Sequence, residues 1–430
     1  MEKRWLGDVR YVSARGISPR FEAGVPDKDY DSSMTRALAT TASWLLLCSL
    51  SFGQEDGYRD LSFPNTTGQG SSTLSARVYY PATSSGANTP MVAPPAGGYP
   101  VVVFLHGWTQ TGASYSKLGT YLSKKGYVAV LNNTAQFSFS TQADDGKAYF
   151  GALVTANAQA GNFLQGALDM SRVGLSGHSA GGGNTVTVLA DNPGYRCGVL
   201  FAPIDPGAAT NSQVEVPLAI IHGEGDLVLL WQLTALDVYN EATNVRGLRT
   251  FYRMDFGCGH NNLAGLFHLT STDQDVWRVT KRVMRGFFDH YLSVNQGGLD
   301  RVIGVAARAE SRLSQLYLSV EAPTLWTAGN AALGQTITMH VASEPGPVVL
   351  AAGNGLAAPL PTPLGDLLLD PGALLTSWLS QVGADRYSTE PLAIPSDPSL
   401  VGFQLALQAL GTGTGAGPAL SGAVVVTVQP

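Results

Sequence analysis

Clusters of lysine and arginine are missing from this chain. Charged residues make up only 13% of it and the formal net charge is −6. No basic stripe exists to follow a phosphate backbone, so nucleic acid is not an expected partner. Lysine is absent altogether after Lys281. Cysteine is scarce, with three in 430 residues. None has the spacing of a metal site, so neither metal nor cofactor is expected. No apolar run is long enough to cross a bilayer comfortably. The best candidate, residues 42–52 around Cys48, is too short. Preceded by Met34-Thr35-Arg36 and followed by Gly53, it reads as a secretory signal peptide. The expectation is therefore an upstream segment 1–33 before the true start, a signal peptide 34–53, and a secreted or periplasmic mature protein. Cys197 and Cys258 would remain. One starts a strand and the other lies beyond the far end of another, too far apart to bridge, so both are expected as free thiols.

What the chain does contain is Gly177-His178-Ser179-Ala180-Gly181, directly after the apolar run Val173-Gly174-Leu175-Ser176 and before a helical stretch to about Ala190. This G-x-S-x-G places a serine on a sharp strand-to-helix turn. Small residues are needed at both flanks because side chains there would meet neighbouring backbone. The serine would then sit at a helix N-terminus, where the backbone dipoles favour developing negative charge.

Suitable partners follow in chain order. Leu218–Ile221 reads as a buried parallel strand ending in His222-Gly223-Glu224-Gly225-Asp226. Asp226 is the expected acid, with Glu224 as its competitor. The strand around Thr250–Met254 leads into Phe256-Gly257-Cys258-Gly259-His260, and His260 is the expected base. His106 and His222 precede these partners and read as structural. His178, inside the turn, is expected to pack beside the serine and to contribute to the substrate side of the site. His268, His290 and His340 read as surface or packing residues. Earlier in the chain, Pro100–Leu105 is a buried strand ending in His106-Gly107-Trp108. An oxyanion would be held by the backbone N–H groups of Ala180, after the serine, and Trp108, in this loop.

At these residues the chain resembles the secreted cutinase-like polyester hydrolases and their dienelactone-hydrolase and acetylhydrolase relatives. The resemblance runs from about residue 70 to 292. It is carried by Arg77-Val78-Tyr79-Tyr80-Pro81, His106-Gly107-Trp108, Lys124-Lys125-Gly126-Tyr127-Val128, Ser171 to Gly183, Asp226 and His260. Serine to acid is 47 positions and acid to histidine 34, from 179, 226 and 260, spacings similar to that family's. The resemblance implies ester hydrolysis through an acyl-enzyme, with an ester or polyester as substrate. It also marks departures. Ala180 stands where polyester-degrading members usually carry Met, Ile204 where they carry Trp, and Trp108 where Tyr or Phe is common. Trp108, His178 and Ile204 are the expected substrate-binding residues, and cleavage of aromatic polyester is not implied.

Strands alternating with helices through this region imply a doubly wound, mostly parallel sheet over residues 54–296, and the serine motif and the resemblance imply that it is an α/β-hydrolase. Beyond it the pattern changes. Residues 297–314 read as a linker. Residues 315–430 hold short β-rich runs separated by Gly/Pro turns, implying a small all-β sandwich with no catalytic set of its own. A monomer without a stable membrane span is expected. Two rival functions remain open: a phospholipid acetylhydrolase or other acyl hydrolase on the same three residues, and a non-catalytic surface-binding protein.

Overall fold

The computed structural model describes residues 55–266, 269–293, 297–413 and 417–430. The expected upstream segment, the signal peptide with Cys48, and His268 lie outside them. Ten strands form one sheet: β1 (Glu55–Pro64), β2 (Thr73–Ala82), β3 (Gly86–Ala87), β4 (Tyr99–Leu105), β5 (Val128–Asn132), β6 (Leu168–His178), β7 (Gly198–Phe201), β8 (Leu218–Gly223), β9 (Leu248–Met254) and β10 (Leu313–Val320). Their spatial order is β10-β9-β8-β7-β6-β4-β5-β2-β1-β3. The six strands from β5 to β9 in that order run parallel. Strands β4, β5, β7 and β8 are buried along their whole length, as their unbroken apolar runs require when both faces are covered. Each Val, Leu or Ile so enclosed contributes about 1.5–3 kcal/mol relative to exposure.

Apolar layers lie on both faces of the sheet. One includes Phe104, Tyr115, Phe201, Ile221 and the buried face of α5 (Ser271–Leu292). The other includes Val103, Leu105, Val130, Tyr149 and Ile220. The helices that matter for the site are α1 (Ser116–Ser123), α2 (Phe139–Ala158), α3 (Ala180–Asp191) and α4 (Ala235–Glu241), followed by α5. Gly126, at φ +86°, lies just beyond α1. Helix α2 begins at Phe139, where Ser138 caps it by accepting from the Thr141 N–H.

Strands β1 and β10 of the large sheet were not legible in the sequence. Glu55–Pro64 pairs antiparallel with β2 along its full length. Its charged, edge-strand sequence has no clean apolar alternation. It is fastened by the backbone ladder and by Arg77–Asp60 at 2.8 Å. The second correction concerns the expected linker 297–314 and the start of the β-domain at 315. Residues 297–308 form two short helices, α6 (Gly297–Ile303) and α7 (Val305–Arg308). Leu299, Val302 and Ile303 lie in the same apolar cluster as Phe287 of α5. Residues 313–320 then pair antiparallel with β9 and cover its open edge, which answers the liability of an exposed edge strand. We propose a division between the two domains near Glu321.

Beyond it, β11 (Thr324–Ala328), β12 (Thr336–Ala342) and β17 (Tyr387–Ala393) form one antiparallel sheet. A second contains β13 (Gly346–Asn354), β16 (Leu374–Val382), β18 (Gln404–Thr412), β19 (Pro418–Leu420) and β20 (Val424–Thr427). The short hairpin β14 (Leu360–Thr362) and β15 (Gly365–Leu367) lies within the Leu/Pro-rich stretch. Ile337, Met339 and Val341 alternate inward against Val348, Leu350, Leu407 and Val424, the core of a sandwich. Trp326 belongs instead to the apolar cluster of the α/β domain. Arg308 lies 4.2 Å from the centre of the Tyr387 ring and pairs with Asp385 at 3.3 Å, joining the two domains.

Cys197 and Cys258 are buried free thiols. His290 and His340 are buried as packing residues. Burial pushes both His290 and His178 down to about 3, so each is neutral when folded. From the ordinary 6.5 down to that value, only the unfolded chain takes up these protons. Stability should therefore fall as pH drops below about 6.5. Urea midpoints measured at pH 7.5 and pH 5 should decrease in that order, and His290→Gln should flatten the difference.

Candidate active site

The turn after β6 is shaped by atoms that leave no room for side chains. A Cβ at Gly177 would fall onto the Gly181 carbonyl, and one at Gly181 onto the Leu105 carbonyl. Between them Ser179 adopts φ 57°, ψ −119°, a conformation that a non-glycine residue holds only when its surroundings enforce it. Its N–H donates to the Phe201 carbonyl at 2.9 Å. Its own carbonyl accepts from Gly183 and Ile204, both at 3.1 Å. Helix α3 starts at the next residue, Ala180.

Three strand ends converge on this serine. His260 Nε2, from the loop after β9, lies 2.9 Å from Ser179 Oγ. His260 Nδ1 lies 2.6 Å from Asp226 Oδ2, from the loop after β8. The other Asp226 oxygen accepts from the Val228 and Leu229 N–H groups at 2.9 and 2.8 Å. Burial opposes ionisation of Asp226. Hydrogen bonds from His222, His260 and Leu229 outweigh it and hold the carboxyl well below the usual range. Ser179, Asp226 and His260 are thus brought together in a connected line. Glu224 is not: it pairs with Arg253 at 2.9 Å.

The β4 loop forms the opposite wall. The N–H groups of Gly107, Thr109 and Gln110 are taken by Tyr115 Oη, the Gln136 carbonyl and the Gly107 carbonyl. Trp108 is half-exposed beside them. His106 is fully buried, its ring nitrogens each 2.8 Å from a backbone carbonyl, of Thr134 and of Gly107. Ile204 is partly buried against the turn, close to Gly183. His178 departs from expectation. It is only 1% exposed, with both ring nitrogens bonded inside the protein, and so does not face a substrate. Its ring packs 4.8 Å from that of His260.

Sequence reasoning missed three contributors. His222 Nε2 is 3.0 Å from the Asp226 oxygen that His260 uses; its i,i+4 spacing to Asp226 was the available signal. Tyr115, fully buried, touches the loop of Gly107, and nothing in its local sequence marks it. Arg312, beyond the expected catalytic region, pairs with Asp255 at 3.1 Å and Asp275 at 2.8 Å, while its carbonyl accepts from the Asp255 N–H. It thereby ties down the start of the His260 loop. Among the described residues, no group of three or more His, Cys, Asp or Glu is arranged to hold a metal ion, and no helix is long and apolar enough to cross a membrane.

The mostly parallel sheet, the strand–elbow–helix at Ser179 and the loops at the carboxyl edge are those of an α/β-hydrolase. Residues 57–261, just under half of the chain, match the family model described as PET hydrolase-like, and the α/β domain resembles the cutinase-like polyester hydrolase branch of that superfamily. The chain is 26% identical over 153 residues to a bis(hydroxyethyl) terephthalate hydrolase of Streptomyces coelicolor, covering 35% of this chain and 44% of that protein. It is 27% identical over 146 residues to the cutinase est2 of Thermobifida alba, covering 33% and 47%. Over 63 residues it is 35% identical to a platelet-activating factor acetylhydrolase of Cavia porcellus, covering 14% of each. The matched stretch thus spans less than half the length of these relatives.

Because the turn is closed by backbone on both sides, Gly181→Ala should destabilise the fold by about 3 kcal/mol or more. Urea unfolding checks this. Gly151→Ala serves as control, since a Cβ there meets nothing within 4 Å.

Proposed function

We propose that the protein is a serine ester hydrolase working through an acyl-enzyme. The observation that carries this reading is the line from Ser179 through His260 to Asp226, at 2.9 and 2.6 Å, beginning at a strained serine on a helix N-terminus. Ser179 Oγ attacks the ester carbonyl while His260 Nε2 takes its proton. Asp226 holds the Nδ1–H of His260 and stabilises the imidazolium that forms. The oxyanion is held by the N–H groups of Ala180 and Trp108. Collapse breaks the C–O bond, and the His260 proton goes to the departing alkoxide. Water, deprotonated by the same histidine, then attacks the acyl-enzyme and frees the acid and Ser179.

The substrate side favours apolar esters. Each of four loops at the carboxyl edge presents an exposed apolar residue: Trp108 after β4, Phe137 after β5, Leu227 and Val228 after β8, and Phe256 after β9. Exposed apolar side chains gathered on one edge suit contact with a water-poor substrate. Short to medium acyl esters and aliphatic polyesters fit this surface, and the relatives named as a bis(hydroxyethyl) terephthalate hydrolase and a cutinase also point to ester substrates. The acetylhydrolase match supports a second reading, in which a phospholipid ester is cleaved by the same residues. Export through the 34–53 segment belongs to the proposal, and N-terminal sequencing of the mature protein tests it.

Hydrolysis of p-nitrophenyl esters from acetate to palmitate, alongside a short-chain phospholipid and an aliphatic polyester film, should show activity in the wild type. Ser179→Ala should lower it by about 10⁴-fold or more, and Asp226→Asn by about 10³- to 10⁴-fold. A fluorophosphonate should label Ser179. Folded wild-type protein that neither labels nor turns over any of these esters would refute the reading.

A further inference from the structure

Tyr115 and His178 lie behind the site, where no substrate reaches them, yet they touch both loops that the chemistry needs. Tyr115 ends a short 3₁₀ turn and is fully buried, its ring centre 4.6 Å from that of Phe104. His178 is the last residue of β6, immediately before Ser179. Gly107 N lies 2.9 Å from Tyr115 Oη. Tyr115 Oη lies 2.9 Å from His178 Nδ1. His178 Nε2 lies 2.8 Å from the backbone carbonyl of His260.

The direction of every proton in this line is fixed by chemistry. A backbone N–H only donates, so Gly107 donates to the tyrosine oxygen. A carbonyl only accepts, so the proton of His178 sits on Nε2 and points to His260. A neutral imidazole then has a bare Nδ1, which accepts the tyrosine O–H. Burial, with the facing His260 adding to it, pushes His178 down to about 3 and keeps it neutral at ordinary pH. The line is therefore fully satisfied in one polarity. It runs past the serine itself: a Cβ on Gly107 would lie 3.1 Å from both His178 Nδ1 and Tyr115 Oη, and 3.5 Å from Ser179 Cβ.

We propose that Tyr115 and His178 are positioning residues, a rigid two-ring strut that sets the distance between the loop carrying the Trp108 oxyanion donor and the loop carrying the His260 base. The strut rests on the serine-hydrolase reading for its consequence and on geometry alone for its existence. Its two ends belong to segments 153 positions apart in the chain, 107 and 260, and neither ring needs to touch the ester. Because a donor or base displaced by a fraction of an ångström stabilises the transition state poorly while leaving substrate contact intact, losing the strut should lower kcat far more than it raises KM.

The test uses the full chain with Tyr115→Phe, His178→Gln and His178→Leu, each checked for folding by circular dichroism. Tyr115→Phe keeps the ring but leaves Gly107 N–H and His178 Nδ1 without their partner. It should lower kcat on a p-nitrophenyl ester by about 10- to 100-fold, with KM within about twofold. His178→Gln keeps a donor for the His260 carbonyl and should retain more kcat than His178→Leu. Independently of turnover, the low-field proton resonance of His260 Nδ1–H, bonded to Asp226, should shift or broaden in Tyr115→Phe. If Tyr115→Phe does not fold, the two His178 variants decide by the same readings. An active wild type whose folded variants match it in kcat and in that resonance overturns the strut and leaves the esterase reading standing. A wild type without turnover whose resonance still responds to the variants keeps the strut and overturns the esterase reading.

Discussion

The close approach of backbone to backbone at the end of β6 is the constraint on which the rest of the site depends. Gly177 and Gly181 lie so near the carbonyls of Gly181 and Leu105 that no side chain fits at either position. This contact presses α3 onto the ends of β4 and β6. It forces the reversal to complete within a few residues, and Ser179 takes up the strain as a positive φ. A serine on an ordinary turn would share its hydroxyl with solvent. Here its oxygen is aimed at one partner, and the first N–H groups of a helix stand beside it.

The electrostatics of the site follow from the same enclosure. A buried carboxylate is stable only when hydrogen bonds replace its water. Asp226 receives them from two backbone N–H groups and from two histidines. The carboxylate thus stays charged although it is almost fully buried. His178, a few ångströms away, has no such carboxylate bonded to it and stays neutral. Two histidines with rings 4.8 Å apart therefore serve different ends because their hydrogen-bond partners differ. His260 meets an acid and a hydroxyl; His178 meets a tyrosine and a carbonyl.

The second half of the chain is not simply appended. Residues 297–320 complete the first domain: two helices pack on α5, β10 closes the sheet edge, and Arg312 holds Asp255 at the root of the His260 loop. Glu310 meanwhile binds Arg278 and Arg282 of α5. The family match ends at residue 261, so these supports lie wholly outside it. The sandwich that follows meets the first domain through Trp326 and through Arg308 with Tyr387 and Asp385. It also carries exposed Leu374, Leu375 and Leu379 along β16.

The sequence by itself determined the central strands and the turn at Ser179, and it pointed to Asp226 and His260, which the fold brings beside that serine. These are local matters: unbroken apolar runs, glycines where backbones touch, and loops at the carboxyl ends of strands in a fixed chain order. Only the tertiary structure decided what β1 and β10 do, because edge strands pair through backbone groups that carry no residue signature. It alone decided that both ring nitrogens of His178 are bonded inside the protein, to Tyr115 and to the His260 carbonyl. It alone brought Tyr115, His222 and Arg312 to the site. Each acts through a hydrogen bond or ion pair, two of them across long stretches of chain, and such contacts depend on three-dimensional distance, which residue type and local pattern do not encode.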